Sequence, residues 1–196
     1  MFPPAAVAAL SAWLGHPLVA SIFGLATLFF LQFFRDPERT PEGDEQTIVS
    51  PADGTILSVG AADEAPPGAK RRITILMSVF NCHVNRSPAS GRLSAYTYTP
   101  GRKMAAFDAK ASLENEQNRV TIDAARGPVT FKQIAGALAR RIIFRPQPGD
   151  ELSRGERIGM IRFGSRVDLF APDAAEVLVG PGNKVKAGQT GLARWK

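Results

Sequence analysis

The sequence predicts a mainly β protein: a single β-sandwich or barrel-like domain, preceded by an N-terminal hydrophobic membrane helix or helical hairpin. Three observations predict it. Residues 1–34 contain no Lys, Arg, Asp or Glu. After Arg39 the chain becomes a series of short runs, several alternating polar and apolar residues. Pro/Gly-rich turns such as APPGA (65–69) and PQPGD (146–150) separate those runs. At 196 residues there is room for one compact domain plus an appendage.

The N-terminal element comes first. Residues 17–34 read PLVASIFGLATLFFLQFF, with Gln32 the only strongly polar side chain. This run stands near the lower end of the roughly 17–25 residues a spanning helix needs. A weaker apolar stretch, Pro3 to Leu14, precedes it, and Gly15, His16 and Pro17 break the two apart. Two membrane readings follow, one spanning helix or a pair of short helices dipping into one leaflet; a buried core helix competes with both. A signal peptide fits poorly, because no basic residue precedes the apolar core and bulky Phe33 and Phe34 end it. Arg35 and Arg39 directly after the run favour a cytoplasmic C-terminal domain. The formal charge of +6 falls wholly on the residues after 34. That distribution suits an anionic bilayer and equally nucleic acid.

The body follows, with 35–46 as a linker and 47–196 as the domain. Residues 55–59, 72–77, 92–99, 119–123, 129–134, 141–144, 157–161, 166–170 and 176–179 read as strands. Many short strands at close spacing imply a sandwich or barrel. The helical candidates in the body are brief, for example around Lys103 to Ala111.

Three places could carry chemistry. His16 lies in the apolar segment, so His83, within NCHVNRSP, is the histidine available to a soluble site. One histidine and one cysteine fall short of a zinc ligand set, and no metal site is expected. Cys82 reads as a small buried hydrophobe. In SPADG (50–54), Asp53 is either an Asx-type turn residue or a carboxylate that orients an imidazole. In RFGSR (162–166), between two strands, Gly164-Ser165 is either a bulge or a strained peptide bond open to attack by its own hydroxyl.

Seven stretches, in order, resemble the short bacterial and archaeal type of phosphatidylserine decarboxylase: FFRDPER (33–39), SPADG (50–54), FNCHVNRSP (80–88), ENEQN (114–118), QIAGALARRI (133–142), GERIGMIRFGSRVDLF (155–170) and VKAGQTGL (185–192). The resemblance implies a proenzyme that cuts itself between Gly164 and Ser165, giving a β chain 1–164 and an α chain 165–196. Ser165 would become a covalent pyruvoyl cofactor, with His83, held by Asp53, as the base. The implied substrate is phosphatidylserine, decarboxylated to phosphatidylethanolamine and CO2 in phospholipid biosynthesis. The implied partners are the anionic lipid surface and the protein's own second chain, as a heterodimer alone or within a higher oligomer, and not nucleic acid. The implied location is the cell membrane with the catalytic domain cytoplasmic, held by the tail and a basic rim of Arg86, Arg140 and Arg141. Longer bacterial members carry Leu-Gly-Ser-Thr where this chain has Phe163-Gly164-Ser165-Arg166, and two histidines near the site where this chain has His83. His83 is thus a candidate for self-cleavage, for decarboxylation, or for both.

Two other classes compete. NKVKAGQTG (183–191) is similar to turn segments of biotinyl and lipoyl carriers, with Lys184 or Lys186 as the modified lysine of a membrane-tethered binding module. The Met-Lys-Met-like tip is missing, which makes that likeness structural; it implies carrier-like hairpins in the β domain. A pyruvoyl decarboxylase of a soluble amino acid would have no use for an uncharged N-terminus.

Overall fold

The computed structural model describes residues 3–61, 64–108, 110–137, 141–162 and 165–196. Phe163, Gly164 and Arg140, singled out above, lie outside the described residues. The chain divides into two compact units, Met1–Pro37 and Glu38–Lys196.

The first unit holds two helices, α1 (Pro3–Trp13) and α2 (Pro17–Phe33), packed on one another. Gly15 ends α1 in the left-handed region at φ +76°. His16 N–H donates to Ser11 O at 2.8 Å and Gly15 N–H to Ala12 O at 3.1 Å. This is a Schellman closure, and glycine enters it without a Cβ penalty. Pro17 then starts α2, where its missing N–H would have had no intrahelical partner. Leu10, Trp13, Leu18, Ile22, Leu25, Leu28 and Leu31 are all exposed. Among the described residues no helix is long and apolar enough to cross a membrane. The 17 residues of α2 extend about 25 Å, against a hydrocarbon core of about 30 Å. Of the two membrane readings, the single spanning helix therefore finds no support.

The second unit is mainly β. Its strands are β1 (Thr47–Val49), β2 (Gly54–Ala61), β3 (Ala69–Met77), β4 (Val84–Arg86), β5 (Gly91–Thr99), β6 (Gln117–Ala124), β7 (Gly127–Ile134), β8 (Ile142–Phe144), β9 (Glu151–Leu152), β10 (Arg157–Ile161), β11 (Ser165–Pro172), β12 (Ala175–Val177), β13 (Lys184–Val185) and β14 (Gly191–Trp195). Eight of them form one curled half-barrel sheet in the order β13-β2-β3-β11-β7-β6-β5-β9. Two three-stranded sheets, β4-β10-β8 and β1-β14-β12, complete the unit. The strand pairs are antiparallel throughout.

One face of the large sheet builds the apolar core, with Ile73, Ile75, Val120, Ile122, Val129, Phe131, Val167 and Leu169 fully buried. Full burial of each such side chain stabilises by about 1.5–3 kcal/mol before entropy is counted. Gly54 is required where β2 starts, because a Cβ there would collide with the Leu76 carbonyl of β3.

The helix expected over Lys103 to Ala111 is largely absent. A four-residue α3 (Ala111–Glu114) forms instead. Asn115 Oδ1 accepts from Met104 N–H at 2.9 Å and its Nδ2 donates to Met104 O at 3.0 Å. A side chain thereby bonds the Met104 carbonyl that a helix would have used.

Candidate active site

Two ladders meet near position 165. Ser165 opens β11 opposite Met77, the last residue of β3. Val84, the first residue of β4, stands opposite Met160 on β10. The chain passes between these ladders twice, from β3 to β4 over 78–83 and from β10 to β11 between Ile161 and Ser165. His83 ends the first passage, next to Val84 on β4, and Ser165 ends the second, at the start of β11.

A side-chain bridge tightens that placement. Gln133 stands on β7 opposite Val167, and therefore shares the face of β11 that carries Ser165, two residues away. Gln133 Nε2 donates to Asn85 Oδ1 at 2.8 Å, and Asn85 lies two residues beyond His83. Asn85 Nδ2 donates to Pro51 O at 3.2 Å, and Asn118 Nδ2 donates to Gln133 Oε1 at 3.3 Å. These amides are buried and hydrogen-bonded to one another, which is the condition for keeping polar groups in a core.

Ser165 is fully buried, and its hydroxyl donates to Met77 Sδ at 3.0 Å. His83 is also fully buried, with Nδ1 at 2.9 Å from Asn81 O. A carbonyl oxygen can only accept, so Nδ1 bears the proton. In the neutral form of such a ring the lone pair lies on Nε2, the nitrogen suited to take a proton.

Asp53 departs from expectation. Its carboxylate does not bond the imidazole; it is gripped by the Arg39 guanidinium, through Nη1 on Oδ1 and through Nη2 on Oδ2 at 3.0 Å. Oδ1 also accepts from Ala187 N–H at 2.8 Å and Oδ2 from Cys82 N–H at 3.3 Å. The charge of Arg39, which a histidine could not outbid for both oxygens, explains the difference. Asp53 bonds the main chain of Cys82, the neighbour of His83. Arg39, read from sequence as part of the linker, is thus a site residue that sequence reasoning missed; its place in FFRDPER was the available signal.

Main-chain hydrogen bonds join six of the sequence stretches in pairs. Ser50 O accepts from Gly188 N–H at 2.7 Å, Ser87 N–H donates to Glu156 O at 2.8 Å and Ala135 N–H donates to Glu116 O at 2.9 Å. Arg86, expected on a basic rim, is instead buried and donates to Gly155 O at 3.0 Å. Its guanidinium ties β4 to the turn before β10, while Arg141 is exposed.

With that geometry in place, comparison with known proteins is decisive. The family model for phosphatidylserine decarboxylase matches residues 26–193. The chain belongs to the phosphatidylserine decarboxylase family. Proteins named phosphatidylserine decarboxylase proenzyme resemble it over most of their length. That of Solibacter usitatus is 47% identical over 191 residues, covering 96% of this chain and 90% of the relative. That of Trichlorobacter lovleyi is 48% identical over 176 residues, covering 89% and 80%. That of Pelobacter propionicus is 45% identical over 177 residues, with the same coverage.

This family member also has an ionic cluster that sequence reasoning missed, buried at Arg166, Asp168, Ser112 and Lys132 and half-buried at Glu64 and Arg72, on the face of the large sheet opposite Ser165. Arg166 donates from Nε to Asp168 Oδ1 at 2.7 Å and from Nη2 to Asp168 Oδ2 at 2.9 Å. Ser112 Oγ lies 2.9 Å from Asp168 Oδ2 and 2.7 Å from Glu64 Oε1. Glu64 accepts from Lys132 Nζ at 2.7 Å and from Arg72 Nη1 at 2.8 Å. Burial pushes the Glu64 carboxyl up, but the hydrogen bonds from Lys132, Ser112 and Arg72 outweigh it and hold the group below the ordinary range. Burial moves Lys132 down, and Glu64 offsets part of that shift.

Proposed function

We propose that this protein is a self-processing decarboxylase of phosphatidylserine, with Ser165 as the residue that becomes its pyruvoyl group and His83 as its base. The observation that carries the reading is the fully buried Ser165 at the first position of a central strand, with a buried, tautomer-fixed His83 on the adjoining passage.

Self-cleavage uses the chain's own atoms. His83 Nε2 takes the Ser165 hydroxyl proton, and Oγ attacks the Gly164 carbonyl carbon. The C–N bond to residue 165 breaks as that nitrogen takes a proton, leaving an ester. Loss of the Ser165 Cα proton then breaks the Cβ–Oγ bond, releases the Gly164 carboxylate and leaves dehydroalanine. Tautomerisation and hydrolysis by one water release ammonia and leave a ketone at position 165. Asp53 serves by positioning: with Arg39 it fixes the Cys82 main chain that carries His83.

The residues present fit such a group, since position 165 is fully buried and lies against Met77. A pyruvoyl group at position 165 would supply an electron sink for the pair freed as CO2 leaves. His83 returns a proton to the former α-carbon, and phosphatidylethanolamine departs.

The fold supports retention of both products of the cut. In the α chain, β11 lies between β3 and β7, and β14 lies between β1 and β12. The β and α chains therefore stay together as a heterodimer. The helical hairpin supports a membrane role: its outward Leu, Ile and Trp side chains form the kind of apolar surface that seeks a partner or a lipid interface. It dips into one leaflet and keeps the catalytic unit at the cytoplasmic face, where the substrate resides, with Arg141 available to anionic headgroups.

The test is conversion of phosphatidylserine in mixed vesicles, read as phosphatidylethanolamine and CO2. Wild type should convert it and Ser165→Ala should not. Wild type inert towards phosphatidylserine would contradict the reading.

A further inference from the structure

We infer that the ionic cluster behind Ser165 is a positioning clamp, which holds residue 165 in register during self-cleavage and, afterwards, across the cut; this rests on the proposed processing at Gly164-Ser165. Position 165 is weakly held by the sheet. It pairs with Met77 on one side, while pairing with β7 begins one residue later, at Arg166 opposite Ile134. Once cut, it is a chain end, and chain ends fray unless tied down.

The tie is the next side chain. Arg166 points to the face opposite Ser165, is nearly fully buried, and is forked onto Asp168 through two hydrogen bonds. Its Nη2 also donates to Thr74 Oγ1 at 3.3 Å and its Nη1 to Asp108 O at 3.4 Å. Asp168 in turn is held by Ser112, and Ser112 joins it to Glu64, Lys132 and Arg72. Arg166 and Asp168 belong to the α chain, whereas Thr74, Asp108, Ser112, Glu64, Lys132 and Arg72 belong to the β chain. The cluster therefore bridges the two products one residue from the reacting atoms.

An ionic cluster is a poor choice for stability alone, since well-packed apolar side chains of the same volume do as well or better. It supplies fixed geometry: a planar fork allows one arrangement. Reactions of held groups are sensitive to that geometry, a misplacement of about 1 Å costing on the order of 10²-fold.

The experiment compares wild type, Arg166→Lys and Ser112→Ala for processing rate, thermal midpoint and steady-state kinetics of the processed enzyme on phosphatidylserine vesicles. Arg166→Lys keeps the charge and loses the fork; Ser112→Ala removes one hydroxyl and serves if the first variant fails to fold. The clamp predicts slower processing by about 10-fold or more for Arg166→Lys and about 3-fold or more for Ser112→Ala. It also predicts a lower kcat with KM within about twofold, because residue 165 is misplaced rather than the lipid unbound. Variants that lose thermal stability yet process and turn over like wild type would overturn the clamp and leave the decarboxylase reading intact. A wild-type protein that never cleaves would overturn both.

Discussion

The two faces of β11 solve opposite problems with adjacent residues. Ser165, Val167 and Leu169 point into a face of aliphatic side chains and paired amides, while Arg166, Asp168 and Phe170 point into a face of ions. Both faces are buried. The first provides a dry place for chemistry and most of the hydrophobic stabilisation; the second provides directional bonds that fix the strand. A single strand can thus be anchored on one side and reactive on the other, because its side chains alternate.

Breaking the reactive side should have the largest effect. His83→Ala removes the proposed base and should slow self-cleavage by about 10²–10⁴-fold, seen as uncut chain on a denaturing gel, with the thermal midpoint of the folded protein as control. On the same face, Leu169→Ala empties a fully buried site and should cost about 2–5 kcal/mol in denaturant unfolding. Gln133→Leu leaves Asn85 and Asn118 without a shared partner and should cost about 1–3 kcal/mol. If it costs nothing, the amide chain does not tie the His83 strand to the large sheet.

The smallest effect concerns pH and one carboxylate of the ionic face. Glu64 titrates below its ordinary value in the folded state. Its contribution is therefore fully present above the ordinary carboxylate range and is lost as pH falls through the depressed folded value. Thermal midpoints measured from neutral pH downward should decline less for Glu64→Gln than for wild type. Equal slopes would show that the cluster is not coupled to this carboxylate.

The contrast also explains what could be read from residues alone. Runs such as Arg72 to Met77 and Arg166 to Phe170 were legible because alternation and β-branched residues mark strands. Strands β1, β4, β9, β13 and β14 were not, since two to five residues carry too little pattern and pairing across the fold defines them. Ser165, His83 and Asp53 stood out through the motifs around them. The ionic cluster did not: Arg166 and Asp168 look like the solvent side of an alternating strand, and Glu64, Ser112 and Lys132 reach them only after folding. Arg39 was hidden for the same reason, as a charge in an apparent linker whose partner lies across a loop. Alternation predicts which residues share a face, and it is silent on whether a polar face meets water or other charges.

The most direct test of the central claim is the intact mass, under denaturing conditions, of wild type and Ser165→Ala. The account predicts two wild-type chains, residues 1–164 and a chain beginning at position 165 with the mass of a pyruvoyl group, and a single uncut chain for the variant. A single unmodified wild-type chain, or cleavage of the variant at the same bond, would contradict it.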